Sequence, residues 1–374
     1  FMEGDDRMQN IRNITDKILW VGASDRRLHL FENMFPIPDG VAYNSYVILD
    51  EKTAIMDTAD SSVTRQYLEN LTAALGGRQP DYLVVNHMEP DHCADIAELA
   101  RLYPSMQIVG NQKTFGLMNQ FYNMDLEGRT VVVKEGDVLD LGEHKLTFVM
   151  APMVHWPEAM MSYESTHKIL FSADAFGSFG ALDGAVFNDE NLDPHGLHSE
   201  MRRYYSNIVG KYGMQVQAVL KKAAGLEISM ICPLHGPIWR ENIGWFLDKY
   251  QHWSSYTPED QSVVIAAGSV YGNTMNAAEI LAGMLADRGV KNIKLYDVSN
   301  THPSVLVSEA FRCSHLVFAG STYNNGIFTP METVLLDLAA HNLQNRTVAL
   351  IENGTWAPVS GKLMRELVEK MKKT

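Results

Sequence analysis

Four side chains that can bind metal ions lie within six residues, in the segment His87-Met88-Glu89-Pro90-Asp91-His92. The segment follows directly after the apolar run Asp81–Asn86, which is typical of a buried β-strand. Imidazole and carboxylate groups are ligands that first-row transition metals take in proteins. One metal ion with a closed ligand shell would not need so many ligands from one loop, whereas two adjacent ions would. The spacing therefore predicts a binuclear metal site.

Three further ligand-type residues stand at or near the ends of apolar runs, namely His155, Asp174 and His235. A rigid strand fixes such a side chain while the loop after it stays free, so sheets gather their functional groups at strand ends. Together the seven residues supply four imidazoles and three carboxylates, a mixture that suits two iron ions bridged by one carboxylate. The remaining histidines fit no such pattern, and we predict that they are surface or core residues: His29, His144, His167, His195, His198, His252, His302, His315 and His341.

A second candidate site begins at the loop 269–274, which connects the predicted strand Val263–Ala267 to a predicted helix. A phosphate group there would meet free backbone N–H groups and the positive end of the helix dipole. The lysine of a nucleoside triphosphatase loop is absent, so that class of site is excluded. Two later loops, at 321–326 and 353–357, also follow predicted strands. The predicted cofactor-binding residues are Ser269, Val270, Tyr271, Gly272, Asn273, Thr274, Thr322, Tyr323, Asn324, Asn325, Gly326, Asn353, Gly354, Thr355 and Trp356.

The elements that must position these residues change in pattern along the chain. Up to about residue 250, short β-branched and aromatic runs mix with helical periodicity, which favours a layered α/β or α+β sandwich. The polar stretch 252–261 reads as a linker. From residue 262, strands and helices alternate regularly, which predicts a doubly wound parallel sheet of strand order 2-1-3-4. The alternation stops after a fourth helix, so we expect the last strand and helix of such a sheet to be missing.

Composition narrows the range of partners. The 374 residues include 31 basic and 45 acidic side chains, a net charge of −14, which disfavours nucleic acid and anionic lipid. No apolar run approaches the length of about 20 residues that spans a bilayer, and no signal peptide is recognisable. Cys93, Cys232 and Cys313 form no CxxC pair, which favours a reducing cytoplasm and excludes an iron site with four cysteine ligands.

The segments His87–His92 and Ala151–Tyr163 resemble those of the flavodiiron proteins, also called A-type flavoproteins. The resemblance implies an α/β chain with a metallo-β-lactamase-like αββα sandwich over residues 1–252, a linker over 253–261 and a flavodoxin-like domain that binds flavin mononucleotide (FMN) over 262–374. It implies two iron ions, with Asp174 as the bridging ligand. The ligands of one ion would be His87, Glu89 and His155, and those of the other would be Asp91, His92 and His235.

The same resemblance implies an oxidoreductase that reduces dioxygen to water, nitric oxide to nitrous oxide, or both. Electrons would pass from an external donor, either a rubredoxin-like protein or a reduced cofactor, to FMN and then to the irons. A head-to-tail homodimer, or a dimer of dimers, is also implied. Two alternatives remain open: a zinc-dependent hydrolase fused to a flavodoxin domain, and a non-catalytic gas or redox sensor. Glu89 argues against the hydrolase, because the wider superfamily carries a second histidine at that position.

Overall fold

The computed structural model of the chain describes residues 9–190 and 193–372. The chain divides into a first unit, up to Leu197 together with Ala218–Phe246, and a second unit, His198–Gln217 together with the chain from Leu247. Of the predicted linker 253–261, only 255–259 lies outside helices and strands. The domain boundaries that we derived from the sequence therefore remain a prediction.

Two large sheets form the scaffold of the first unit. One has seven strands in the order β1-β2-β7-β8-β9-β10-β11, and the other has five in the order β12-β13-β14-β15-β16; β3 pairs with β6 and β4 with β5. The strands are β1 (Arg12–Asn13), β2 (Ile18–Trp20), β3 (Ala23–Asp25), β4 (Leu30–Phe31), β5 (Phe35–Pro36), β6 (Val41–Tyr43), β7 (Tyr46–Leu49), β8 (Thr53–Met56), β9 (Tyr82–Val84), β10 (Gln107–Gly110), β11 (Thr130–Val132), β12 (Val138–Asp140), β13 (Lys145–Met150), β14 (Met160–Glu164), β15 (Ile169–Phe171) and β16 (Met230–Cys232).

The inner faces of these two sheets share one hydrophobic core. Trp20, Ile48 and Val84 from the seven-stranded sheet lie in the same buried cluster as Phe148 and Phe171 from the five-stranded sheet. Burying a large apolar side chain stabilises a fold by about 1.5–3 kcal/mol, so this shared layer holds the sheets face to face. The sandwich predicted from the sequence is confirmed.

Seven helices precede β17 along the described chain, and the last three of them each include residues of both units. Tyr67, Leu71 and Leu75 follow a four-residue spacing on one buried face of the first helix, which packs against β7. That helix ends where Gly76 takes a left-handed φ of 56° and donates its N–H back to the last turn. The helices are α1 (Thr64–Leu75), α2 (Pro90–Cys93), α3 (Ile96–Leu102), α4 (Gln112–Phe121), α5 (Pro194–Tyr204), α6 (Gly213–Ala223) and α7 (Ile243–Ser254), with 3-10 turns at Ser61–Val63, Asn188–Glu190 and Gly210–Tyr212 and a π turn at Tyr205–Val209.

The second unit contains a parallel sheet with helices between its strands. The order β18-β17-β19-β21 confirms the predicted order 2-1-3-4. The sequence reading missed β20, a short hairpin partner of β19 whose turn residues Asn324 and Asn325 both have positive φ. The elements are β17 (Asp260–Gly268), α8 (Asn273–Asp287), β18 (Lys294–Asp297), α9 (Pro303–Arg312), β19 (Cys313–Tyr323), β20 (Gly326–Ile327), α10 (Thr329–Ala340), β21 (Thr347–Asn353) and α11 (Ser360–Val368).

A buried ion-pair network ties α5 to the sheet domain within the second unit. Arg202 lies 3.1 Å from Glu309 and 3.4 Å from Glu259, measured between guanidinium nitrogens and carboxylate oxygens. The Nε1–H of Trp253 donates to the same oxygen of Glu259 at 2.6 Å. Burial alone would raise the pKa of Glu259, but these donors and neighbouring cations lower it below its usual range. The low pKa of Glu259 therefore depends on its hydrogen-bond donors and on the cations around it.

In the first unit, a buried pair joins the end of β7 to the turn before β13. Asp50 Oδ2 accepts hydrogen bonds from the backbone N–H and the ring Nδ1–H of His144, each at 2.7 Å. Burial alone would raise the pKa of Asp50, but these hydrogen bonds lower it to about 2. Because the folded pKa lies below the unfolded one, the pair stabilises the fold above pH 4 and less so as the pH falls toward 2.

Replacing Asp50 with asparagine is expected to lower the free energy of unfolding by about 2 kcal/mol at pH 7, because a pKa lowered from 3.8 to about 2 corresponds to that difference. Urea denaturation of wild type and Asp50→Asn across pH 2–7 measures this. The gap between the two proteins should shrink between pH 4 and pH 2. The exposed neighbour Glu51 is the control, and Glu51→Gln should change stability by less than about 0.5 kcal/mol. A gap that stays constant with pH would contradict the prediction.

Candidate metal centre and cofactor cavity

Each predicted metal ligand follows the carboxyl end of a strand in the first unit. The loop 87–92 follows β9, His155 follows β13, Asp174 follows β15 and His235 follows β16. Glu89 is still extended, with φ −65° and ψ 142°, but Pro90 begins the single turn of α2. Proline suits this first helical position because its φ is already helical and no N–H is needed there. The change from extended to helical backbone carries His87 and Glu89 to one cluster and Asp91 and His92 to another.

The first cluster is formed by His87, Glu89, His155 and one oxygen of Asp174. His155 Nε2 lies 3.0 Å from Glu89 Oε2 and 3.1 Å from Asp174 Oδ2, and His87 Nε2 lies 3.2 Å from each of the same two oxygens. All four residues are buried, and their ligand atoms lie within 4.8 Å of one another.

The second cluster is formed by Asp91, His92 and His235, next to the other oxygen of Asp174. The Nε2 atoms of His92 and His235 are 2.9 Å apart, and Asp91 Oδ2 lies 3.3 and 3.2 Å from them. Asp174 Oδ1 lies 3.1 Å from His92 Nε2 and 3.6 Å from His235 Nε2. The two carboxylate oxygens of Asp174 therefore face different clusters, which is the arrangement a bridging ligand needs.

The ligand atoms of both clusters are spaced for coordination to metal ions rather than for hydrogen bonds to one another. Ligands about 2.1 Å from a metal ion lie roughly 3.0–3.4 Å apart in octahedral or tetrahedral geometry, close to the distances observed here. His235 Nδ1–H donates to Ala42 O at 2.8 Å, so its Nε2 lone pair faces Nε2 of His92. Neither carboxylate oxygen of Asp91 has a hydrogen-bond partner within the described residues. Lone pairs that face each other in a buried pocket fit a bound metal ion.

Burial and charge act in opposite directions on these histidines. Burial lowers the pKa of His92 and of His155, but the surrounding carboxylates outweigh it and raise both pKa values to about 9. The facing imidazoles lower the pKa of Asp174 well below its usual range, although burial opposes this. The pocket thus stabilises positive charge among its carboxylates, as a cation site must.

A supporting shell that the sequence reading missed holds the ligand loop. Glu158 Oε1 accepts hydrogen bonds from His87 Nδ1–H and from the Met88 N–H, both at 2.8 Å. Asp57 accepts from the backbone N–H groups of Asn86 at 2.7 Å and of His87 at 3.2 Å. A carboxylate on the far nitrogen of a ligand histidine fixes its tautomer and orientation. Glu158 could have been found, because it stands only three residues after His155.

Removing the Glu158 carboxylate is expected to weaken metal retention at the first cluster. Outer partners of metal ligands typically contribute 10–100-fold in affinity, so Glu158→Ala should lose its metal to a chelator at a concentration about 10–100-fold lower than wild type. Glu158→Gln is the matched control, since its amide oxygen can still accept from His87 and Met88. Metal content after dialysis against graded chelator measures the effect, and equal retention in all three proteins would contradict the assigned role.

The second unit contains a cavity of about 360 Å³ at the carboxyl ends of β17, β19 and β21. Most of the predicted cofactor-binding residues line it. Gly272 and Gly326 do not, and Ser321 lines it although it was not predicted. The lining residues are Ser269, Val270, Tyr271, Asn273, Thr274, Ser321, Thr322, Tyr323, Asn324, Asn325, Asn353, Gly354, Thr355 and Trp356.

The cavity combines polar groups at the start of α8 with exposed aromatic rings. Gly272 takes a φ of 93°, and its N–H donates to Ser269 Oγ at 3.0 Å, which shapes the loop before the helix. The buried hydroxyl of Thr274 lies 2.7 Å from Ser321 Oγ. Tyr271 is 93% exposed and Trp356 is 71% exposed, unusually high values for aromatic side chains. None of the lining side chains is charged, so a phosphate here would be held by neutral donors and the helix N-terminus.

No helix in the described part of the chain is both long and apolar enough to cross a membrane.

Comparison with known proteins places the chain in a family. A family model described as "ODP family beta lactamase" matches residues 41–236. A protein from Aeromonas hydrophila named anaerobic nitric oxide reductase flavorubredoxin is 31% identical over 350 residues, which cover 92% of this chain and 70% of the relative. The structure of rubredoxin oxygen:oxidoreductase from Desulfovibrio gigas has a TM-score of 0.90 and 29% identity, covering 96% of this chain and 89% of the other. The flavodiiron protein from Giardia intestinalis, at 24% identity, has the same fold with a TM-score of 0.89 and covers 96% and 87% of the two chains. The chain thus belongs to the flavodiiron protein family and is an oxidoreductase.

Proposed function

We propose that this protein reduces dioxygen to water, nitric oxide to nitrous oxide, or both, with two iron ions and FMN as its cofactors. The observation that carries the proposal is Asp174, whose two oxygens face two separate sets of imidazole and carboxylate ligands. The names of the relatives support the gas chemistry, since one is a nitric oxide reductase and another an oxygen oxidoreductase.

In this proposal the protein groups divide into two ligand sets around one shared carboxylate. His87, Glu89 and His155 would hold one iron, Asp91, His92 and His235 would hold the other, and Asp174 would bridge them. Glu89 supplies an anionic oxygen that favours iron over zinc. When bound, the iron pair would supply electrons and a binding position for the gas, and FMN would supply the further electrons that complete its reduction.

Three aromatic rings pack against the histidines of the proposed gas site. The rings of Phe31 and Tyr43 lie 5.2 and 5.6 Å from the ring of His235, and Trp156 lies 5.5 Å from that of His87, measured between centroids. Apolar walls exclude water but cost a small uncharged gas little to enter. The ligands are therefore largely buried, with the exposed carboxyl group of Glu32 next to Glu89.

The cavity of the second unit would hold FMN. Its phosphate would lie at the loop 269–274, where the N-terminus of α8 and the hydroxyl groups of Ser269 and Thr274 provide donors. Tyr323 and Trp356 would flank the flat isoalloxazine ring, which would cover the aromatic surface that is exposed here. The volume of about 360 Å³ lies within the ordinary range for cofactor pockets.

The electron donor and the assembly complete the proposal. The donor in this proposal is a rubredoxin-like protein or a reduced cofactor; Cys93, Cys232 and Cys313 do not supply the four thiolates of a rubredoxin iron site. A head-to-tail homodimer, alone or paired into a tetramer, would bring the FMN of one subunit to the irons of the other. A cytoplasmic location is consistent with cysteines that are all free and buried.

Anaerobic reduction followed by parallel measurement of dioxygen and nitric oxide consumption tests the function. We expect about two irons and one FMN per chain, and sustained consumption of at least one gas when a reductant is supplied. His87→Ala should lose turnover but keep its yellow flavin. Zinc in place of iron, without gas consumption, would overturn the proposal in favour of a hydrolase. Reduction of the cofactors without sustained turnover would instead favour a sensor.

A further inference from the structure

A second group of metal-ligand side chains lies elsewhere in the first unit. His144, Glu164 and His167 each offer a ligand atom, and the three atoms lie within 4.8 Å of one another. The rings of His144 and His167 stack with centroids 5.3 Å apart. We predicted from the sequence that both histidines were ordinary surface or core residues, and nothing in their sequence spacing indicated that they would meet.

The buried histidine of this group is oriented as a metal ligand. Its Nδ1–H donates to Asp50 Oδ2 at 2.7 Å, while its Nε2 is buried and has no hydrogen-bond partner in the part of the chain described. His144 as a whole is fully buried. Histidines that bind metals almost always donate the other ring N–H to a carboxylate or carbonyl, which leaves Nε2 as the ligand atom. An unpartnered buried nitrogen would otherwise destabilise the fold.

The carboxylate of the group is held in place by backbone donors but has no ammonium or guanidinium group within 4 Å among the described residues. Glu164 is fully buried, and its two oxygens accept backbone N–H groups from Thr166 and His167 at 2.7 and 2.8 Å. Among the described cationic groups, only His167 lies within 4 Å of it, at 3.6 Å from Nδ1. A buried carboxylate without a firm positive partner is costly, and a bound cation would supply one.

A neighbouring combination, Asp50, Glu143 and His144, also brings three ligand atoms together. Lys17 already occupies that position. Its Nζ lies 2.6 Å from Glu143 and 3.8 Å from Asp50. The lysine supplies the positive charge there, so a metal ion is favoured on the other side of His144, towards Glu164 and His167.

The group lies at the opposite end of the strands of the five-stranded sheet from the proposed diiron ligands. His144 precedes the amino end of β13 and His155 follows its carboxyl end; His167 precedes β15 and Asp174 follows it. Because β13 and β15 both pair antiparallel with β14, they run in the same direction. The six residues of β13 separate the two ends by roughly 20 Å. The group is therefore distinct from the site already described.

We propose that His144, Glu164 and His167 bind a divalent transition-metal ion such as Zn²⁺, with Asp50 as the positioning residue that orients His144. Two imidazoles and one carboxylate suit such an ion and leave the remaining coordination positions to water. The side chain of His167 is 38% exposed, which gives the ion access from solvent. The ion would join the turn before β13 to the turn between β14 and β15.

The test uses iron-loaded, tag-free protein and Co²⁺ as the probe. After incubation with Co²⁺ and gel filtration, we expect about one cobalt per chain with the iron content unchanged, together with a visible cobalt absorption band. His144→Ala and His167→Ala should each lose this cobalt. Asp50→Asn should weaken its binding by about 10–100-fold. His252→Ala, which removes a partly exposed histidine of α7, is the matched control and should bind as wild type does.

The possible outcomes are distinct. Because His167 is partly exposed, His167→Ala should fold even if His144→Ala does not, and circular dichroism checks both. Cobalt that enters only by displacing iron, or cobalt retained equally in both folded variants, would overturn the proposed site. Gas consumption is measured separately on the same samples, so failure of this site is distinguishable from failure of the proposed reductase function.

Discussion

Asp174→Ala should abolish gas consumption and remove most of the iron, while the protein keeps its flavin. Each oxygen of this carboxylate faces a different ligand cluster, so one substitution takes a ligand from both. It also leaves the imidazoles of His87, His92 and His155 without their shared negative charge. Loss of an outer partner of a metal ligand typically costs 10–100-fold, so loss of a bridging ligand should cost turnover at least about 100-fold.

Metal analysis, flavin absorption and gas-electrode measurements on the same preparation give the three readouts. Asp183→Ala is the matched control, because Asp183 is an exposed carboxylate of the same unit that pairs with Arg26. The control should keep iron, flavin and turnover. If Asp174→Ala consumed gas at the wild-type rate, the bridging role of Asp174 and the diiron centre built on it would both be wrong.

Arg202→Met should destabilise the second unit by about 1.5–3 kcal/mol, the usual contribution of hydrogen bonds to charged groups. The guanidinium lies 3.1 Å from Glu309 and 3.4 Å from Glu259. Each buried carboxylate keeps another cation, since Arg312 lies 2.5 Å from Glu309 and Lys249 lies 3.3 Å from Glu259. Methionine fills similar volume, so the loss reflects charge rather than a cavity. Urea denaturation followed by circular dichroism and by flavin fluorescence measures it.

Two further variants separate charge from packing. Arg202→Met combined with Glu309→Gln should lose more stability than Arg202→Met alone, because Glu309 also pairs with Arg312 at 2.5 Å and the second change weakens that pair. Arg288→Met, at the exposed residue just after the end of α8, should change stability by less than about 0.5 kcal/mol. Equal stabilities for Arg202→Met and Arg288→Met would show that the network contributes nothing measurable.

Local sequence patterns predicted much of the fold and of the candidate site. The strand order of the second unit followed from regular alternation, because a strand, its loop and its helix are adjacent in the chain. The residues His87, His155, Asp174 and His235 were recognisable because each follows an apolar run. The turn Asn324-Asn325 was a missed hairpin signal, since asparagine readily adopts positive φ.

Other features arise only from tertiary packing. Asp57 meets the loop at Asn86 from 29 residues away, and Asp50 meets His144 from 94 residues away. No periodicity or spacing links such pairs. Asp57 and Asn86 follow the neighbouring strands β8 and β9 of one sheet, whereas Asp50 and His144 come from the two different sheets of the sandwich. Gly272 was predicted from the sequence to contact a ligand, but it does not line the cavity. Its left-handed φ shapes the loop before α8 instead.

The junction between Glu89 and Pro90 makes the spacing of the ligand loop as important as its composition. A residue inserted there would advance the first turn of α2 by about 100° and exchange which side chains face each cluster. Substitutions that preserve length can retain the donors, whereas insertions and deletions cannot. Among natural variants of this loop, differences in residue type should therefore be far more frequent than differences in length.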